Sequence, residues 1–117
     1  DHLQRLRAAG IGISLDDFGS GYAGFAHLHA LPLSKLKIDR ALIAPLCNSY
    51  DDSPIVSSTI ILAKRLGLEV VAEGVETREQ VVCLKLAGCD IAQGYHIANP
   101  MEATAFPSWL ADWRQFF

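Results

Sequence analysis

The chain has 117 residues, half of them hydrophobic, so it is one domain at most and carries enough apolar material for a core. Its net charge of −3 offers no basic surface for polymeric nucleic acid, and a phosphate-bearing ligand would need a lysine or a bound cation to hold it. Nothing resembles a signal peptide, and no apolar stretch approaches bilayer length, so no membrane contact is expected of this segment. Cys47, Cys83 and Cys89 are odd in number and never spaced as a CxxC pair. They read as small buried or half-buried hydrophobes in a reducing, cytoplasmic setting.

Residues 1–9 read as the tail of a helix, with Leu3 and Leu6 on one side and Gly10 as the stop. A helix that starts at the first residue without a cap suggests a chain cut from something longer. Residues 11–16 alternate as a strand, Ile11, Ile13 and Leu15 facing one way and Gly12, Ser14 and Asp16 the other. A glycine-rich turn and a helix over residues 22–29 follow, closed by Leu31-Pro32. Residues 35–39 alternate again, Leu36 and Ile38 on one face and Lys35, Lys37 and Asp39 on the other. A short helical turn and a loop fill residues 40–52.

Pro54 fits the first turn of the next helix, where its missing N–H costs nothing, and Gly67 ends it. Residues 68–72 form the third strand. Thr77 caps a helix with Gln80 as its capping-box partner, and Gly88 stops it. Residues 90–93 form the fourth strand. A last helix, capped by Thr104 with Pro107 in its first turn, holds Trp109 and Trp113 as a core stripe.

The fold class is therefore α/β. Four parallel strand–helix units preceded by a helix end amount to half of a (β/α)8 TIM-like barrel, which as a whole needs about 250 residues. Half a barrel leaves unpaired strand edges, so a fragment, or a chain completed by another copy, is expected.

In such a sheet every strand ends on one rim, where barrels and open α/β sheets place their sites. Here the ends carry Asp16-Asp17, Lys37 with Asp39, Glu73 and Gln93. Paired acidic residues at a strand end often only cap the next helix. Lys37 changes that balance, because it lies on the neighbouring strand, about 4.8 Å away. It can form a plain salt bridge with Asp16 or Asp39, or it can hold a phosphate or a metal-bound hydroxide, with Asp39 orienting it. Glu73, bounded by Gly74, can close around a metal or accept a proton from water. Glu76 lies nearer the next helix, where the plain reading has it complement the N-terminal dipole, while the Gln93 amide can read a base edge or a phosphate.

Other motifs compete. Gly19-Ser20-Gly21-Tyr22-Ala23-Gly24 fits GxGxxG, with Asp39 about twenty residues on, as in a dinucleotide-binding oxidoreductase. Yet Asp16 and Asp17 stand where the pyrophosphate would sit, and like charges at about 4–6 Å cost several kcal/mol unless a divalent cation lies between them. Asp17-Phe18-Gly19 spells the kinase DFG, but the catalytic loop that should precede it is absent. His27 and His29 are two apart on a helix and cannot face one metal; His2 and His96 are isolated.

Leu15-Asp16-Asp17-Phe18-Gly19-Ser20-Gly21-Tyr22, Leu31-Pro32 and Leu36-Lys37-Ile38-Asp39-Arg40 resemble the EAL-type cyclic-di-GMP phosphodiesterase domain. So do Val71-Ala72-Glu73-Gly74-Val75-Glu76-Thr77 with Gln80, and Gly88-Cys89-Asp90 with Gln93-Gly94-Tyr95 and Pro100. The match covers essentially the whole chain, in order. The resemblance implies a bacterial signalling hydrolase, a modified (β/α)8 barrel that opens cyclic-di-GMP to linear pGpG with two Mg²⁺ or Mn²⁺ ions. It makes residues 1–117 the C-terminal portion of a single such domain, cytoplasmic and homodimeric in its parent.

By the same resemblance Asp16 bridges both metals, Asp17 is a ligand of the second, and Lys37 contacts the attacking water with Asp39 beside it. Glu73 is the metal-site glutamate and base, and Glu76 and Gln93 support or contact substrate. The turn Phe18, Gly19, Ser20, Gly21, Tyr22 couples dimerisation to the metal site. The Glu-Ala-Leu signature and its companion ligands belong to the N-terminal half and are missing, so these residues alone are expected to be inactive. The rival reading is a non-catalytic receptor or protein-interaction module.

Overall fold

The computed structural model describes residues 2–18, 25–46 and 54–114. The elements run α1 (His2–Ala8), β1 (Ser14–Phe18), α2 (Phe25–Ala30), β2 (Lys35–Ile38), α3 (Arg40–Ile43), α4 (Pro54–Arg65), β3 (Glu69–Ala72), α5 (Arg78–Ala87), β4 (Ile91–Ala92), a 3₁₀ turn (Ala103–Ala105) and α6 (Phe106–Arg114). All neighbouring strands pair parallel, in the order β1-β2-β3-β4. Each strand is joined to the next through helix, so the chain is a run of βα units, as its alternation of patterns requires.

The core lies on one face of this sheet. Leu36 and Ile38 of β2 and Val70 and Ala72 of β3 pack with Ile43 of α3, Val56, Ile60 and Ala63 of α4, and Leu84 of α5. These side chains are at most 2% exposed, because the strand period of two hands alternate residues to the helix layer. The intervening residues, Lys35 and Lys37 on β2 and Glu69 and Val71 on β3, go to the other face. Lys35 stands in register with Glu69, and the two form an ion pair at 3.6 Å.

Polar side chains tie the layers. Ser34 Oγ accepts from Ile13 N–H at 2.8 Å and donates to Ile13 O at 3.0 Å, pinning the approach to β1 against that of β2. Asp90, ahead of β4, accepts from Val70 N–H of β3 at 2.9 Å and from Lys64 of α4 at 3.1 Å. The capping box of Thr77 and Gln80 is formed, and Gly88 ends α5 with φ 91°.

Several expectations are corrected. β1 lies later than residues 11–16, so both aspartates fall inside the strand, and Ile11 is about half exposed. β2 stops at Ile38 because Asp39 leaves the ladder to cap α3. β4 is only two residues long. Thr104 sits within the 3₁₀ turn, whose N-cap position is Glu102, rather than ahead of the last helix. Trp109 is half-buried between Phe106 and Trp113, with ring centroids 5.8 and 5.7 Å away, and forms a surface stack rather than a core stripe. Cys83 is disulfide-bonded, against the reading of three free thiols, while Cys89 is free and half-buried as expected. No helix among the described residues is long and apolar enough to cross a membrane.

The hydrogen bond from Val70 N–H and the ammonium of Lys64 hold the Asp90 carboxyl below the usual carboxylate range. Because the folded pKa is depressed, this contribution is complete above the unfolded value near 3.9 and is lost as pH falls through the folded value. Asp90→Ala is expected to lower stability by about 1–2 kcal/mol at neutral pH, the cost of an unpaired β3 N–H, with the difference shrinking below about pH 4 in urea titrations. Gly94→Ala is a steric counterpart: a Cβ at Gly94 collides with the Val75 backbone, and about 3 kcal/mol of destabilisation is expected by the same assay.

Candidate functional site

The two aspartates reach one rim because β1 is irregular. Leu15 pairs with Leu36 and Phe18 with Ile38, so Asp16 and Asp17 together stand opposite Lys37 alone. Two residues against one is a bulge, which turns side chains off the strict in–out alternation. Asp17 takes the left-handed conformation, φ 54°, that short polar side chains tolerate best, and its N–H donates to Asp16 Oδ1 at 2.8 Å. Phe18 then returns to the core, 5% exposed.

Lys37 and Glu73 come to the same place by regular register. Lys37 pairs with Val71, and Glu73 follows two residues on, on the same face, its N–H bonded to Ile38 O at 3.0 Å. The Lys37 ammonium lies 2.8 Å from Glu73 and 4.0 Å from Asp16. One carboxylate oxygen from each of Asp16, Asp17 and Glu73 falls within 4.8 Å of the others, a grouping suited to a metal ion. Asp16, Asp17, Lys37 and Glu73 thus converge on the C-terminal rim of the sheet.

The electrostatics show a site short of positive charge. The neighbouring Asp16 carboxylate raises the Asp17 pKa above its ordinary value, and Asp39 adds to the effect, with Lys37 opposing it. The bond to Glu73 raises the Lys37 pKa, helped by the charges of Glu73, Asp16 and Asp17 against partial desolvation. Lys37 is therefore a fixed cation at neutral pH and not a proton acceptor. Three carboxylates against one ammonium fit a divalent cation, which would relieve the repulsion between Asp16 and Asp17.

The remaining candidates are near the rim in different ways. Asp39 does not orient Lys37: its Oδ2 accepts from Ala41 N–H at 2.9 Å as the α3 cap. Glu76 is exposed, with its own N–H held by Gln80 Oε1 at 2.8 Å. Gln93 is exposed one residue beyond β4, its backbone bonded to Ala72 O at 2.8 Å and Val75 N–H at 3.0 Å. Of the turn Phe18, Gly19, Ser20, Gly21, Tyr22, only Phe18 is among the described residues, and the GxGxxG segment lies outside them. Sequence reasoning missed the reach of Gln80. It is 5% exposed, and its amide also contacts Ile43 O at 3.3 Å and Ala44 O at 3.4 Å. An α5 residue bonding to the end of α3 leaves no local sequence signal beyond its capping-box spacing.

The model of the EAL domain family matches residues 1–100. The chain is 48% identical over 101 residues to the bifunctional diguanylate cyclase/cyclic di-GMP phosphodiesterase MucR of Pseudomonas aeruginosa, covering 86% of this chain and 15% of that protein. Its structure is similar to the EAL domain of Mycobacterium smegmatis DcpA, with a TM-score of 0.84 at 40% identity over 95% of this chain and 50% of that one. It is also similar to Klebsiella pneumoniae BlrP1 in a manganese and cyclic di-GMP complex, with a TM-score of 0.76 at 37% identity over 85% of this chain and 25% of that one. With its four parallel strands joined through helices and the family model matched over residues 1–100, this chain belongs to the EAL domain family.

Proposed function

We propose that residues 1–117 are the C-terminal portion of one EAL domain, half of a (β/α)8 barrel, and that the complete domain hydrolyses cyclic-di-GMP to linear pGpG. The observation that carries this reading is the meeting of Asp16, Asp17 and Glu73 within 4.8 Å, with Lys37 at 2.8 Å from Glu73. The MucR relative is named a cyclic di-GMP phosphodiesterase, and the BlrP1 neighbour holds manganese with cyclic di-GMP.

The product carries a 5′-phosphate, so water adds to phosphorus and the bond from phosphorus to the 3′-oxygen breaks. Asp16, Asp17 and Glu73 would hold Mg²⁺ or Mn²⁺, which supplies Lewis acidity toward a phosphate oxygen and the attacking water. Lys37, protonated, places a positive charge where negative charge builds on the phosphoryl oxygens. Its contact with Glu73 fixes both side chains before substrate arrives. Glu73 then takes the proton that the water loses, within reach of the rim on which the water must lie. Asp39, Glu76 and Gln93 line the same rim as substrate contacts, and the Phe18–Tyr22 turn links a homodimer to the site. The setting is the cytoplasm, where the second messenger is made and degraded.

In the complete domain Asp16→Asn is expected to lower Mn²⁺-dependent turnover by roughly a thousandfold, and Lys37→Met by roughly a hundredfold, as followed by chromatography of pGpG. The 117 residues alone are expected to produce no pGpG at any Mn²⁺ concentration. Metal-dependent turnover by them that Asp16→Asn abolishes would overturn the fragment reading.

A further inference from the structure

Gln80 is one of only two polar side chains buried among the described residues. All the hydrogen-bonding capacity of its amide is used. Oε1 accepts from the backbone N–H of Glu76 at 2.8 Å and of Thr77 at 3.2 Å. Nε2 faces the carbonyls of Ile43 at 3.3 Å and Ala44 at 3.4 Å. The acceptor side is an ordinary capping box. The donor side is not, because a capping box ends at its own helix and asks nothing of a distant one.

The two segments joined in this way both carry rim residues. Glu76 lies in the stretch from Glu73 to Thr77, and α3, whose last turn supplies the carbonyls, is capped at its other end by Asp39. α3 is only four residues long, so its two ends move together. Other supports of the Glu73 stretch come from β2, where Glu73 N–H bonds Ile38 O, and from the β4 side, where Val75 bonds Gln93 and His96 through the backbone. Gln80 supplies the side-chain hydrogen bonds to the end of α3.

We infer that Gln80 is a positioning residue that holds the backbone of Glu76 and Thr77 against the end of α3, and so sets Glu76 relative to Asp39 as substrate contacts. This rests on the phosphodiesterase reading above. The link acts on substrate binding and not on the chemical step, because Glu73 and Lys37 are held by strand register.

Gln80→Glu separates this role from capping. Glutamate is an ordinary capping-box residue, so it keeps the acceptor side and α5 stays capped. It has no N–H to give Ile43 and Ala44, and its charge repels their carbonyls. In the complete domain with Mn²⁺, KM for cyclic-di-GMP is expected to rise roughly tenfold with kcat within about twofold, the pattern of lost binding without lost catalysis. Gln80→Met, similar in length and uncharged, is the second variant should the carboxylate prevent folding, and the same KM rise is expected. An unchanged KM in a folded variant, or a fall in kcat at constant KM, overturns the positioning role. If the unaltered domain neither binds nor hydrolyses cyclic-di-GMP, the functional reading itself fails, and that result is seen before any variant is made.

Discussion

Two residues of β1 stand opposite one residue of β2, and the acidic mouth exists because of that mismatch. In a regular strand Asp16 and Asp17 would project to opposite faces, one of them toward the helix layer, where an unpaired carboxylate is costly to bury. The bulge, with Asp17 in the left-handed region, keeps both carboxylates on the rim and still delivers Phe18 to the core one position later. Phe18 matters here. Its burial fixes the phase of the strand beyond the bulge, so the pair cannot slip without withdrawing an aromatic ring from the core.

Lys37 is where the site's electrostatics are balanced. It is the near cation for Glu73 and, at longer range, for Asp16, and its side chain is only 27% exposed. An ammonium so placed loses hydration, which by itself lowers its pKa, yet the surrounding carboxylates outweigh that loss. One positive charge cannot neutralise three negative ones. Asp17 registers the deficit, since its nearest strong electrostatic neighbour is the like charge of Asp16. Such a cluster is tolerated in solvent, and its three carboxylates are a grouping whose mutual repulsion a divalent cation would relieve.

The sequence made much of this legible, for local reasons. The period of two in residues 35–39 placed Lys37 opposite the core face and was right because β2 is regular there. Thr77, Gln80 and Gly88 marked the ends of α5 because capping depends on residues a turn apart. Glu73 was found as the residue after a short apolar run. What failed was of a different kind. Alternation started β1 three residues too early and ended it at Asp16, since a bulge is set by pairing with β2 and not by β1 itself. Asp39 shared Lys37's parity but was taken by the helix that follows, whose N-terminal N–H groups compete for any carboxylate in reach. The stack of Trp109 on Trp113 has the spacing of a core stripe, and only the surrounding fold shows that it lies at the surface.

The face of the sheet away from the helices gives the last constraint. Lys35 and Glu69 pair across it directly, and Lys37 and Glu73 pair one step further along. A second helix layer would meet these charges with apolar side chains and strip their water without replacing it. All-parallel sheets nonetheless cover both faces, and a barrel is the arrangement that covers the inner one with the sheet's own side chains. Charged pairs satisfied across neighbouring strands suit that interior, because each brings its partner along the same register that closes the sheet. The pair at the mouth differs from the pair at the base in one respect: Asp16 and Asp17 stand beside it, and that added negative charge turns a structural ion pair into a candidate site.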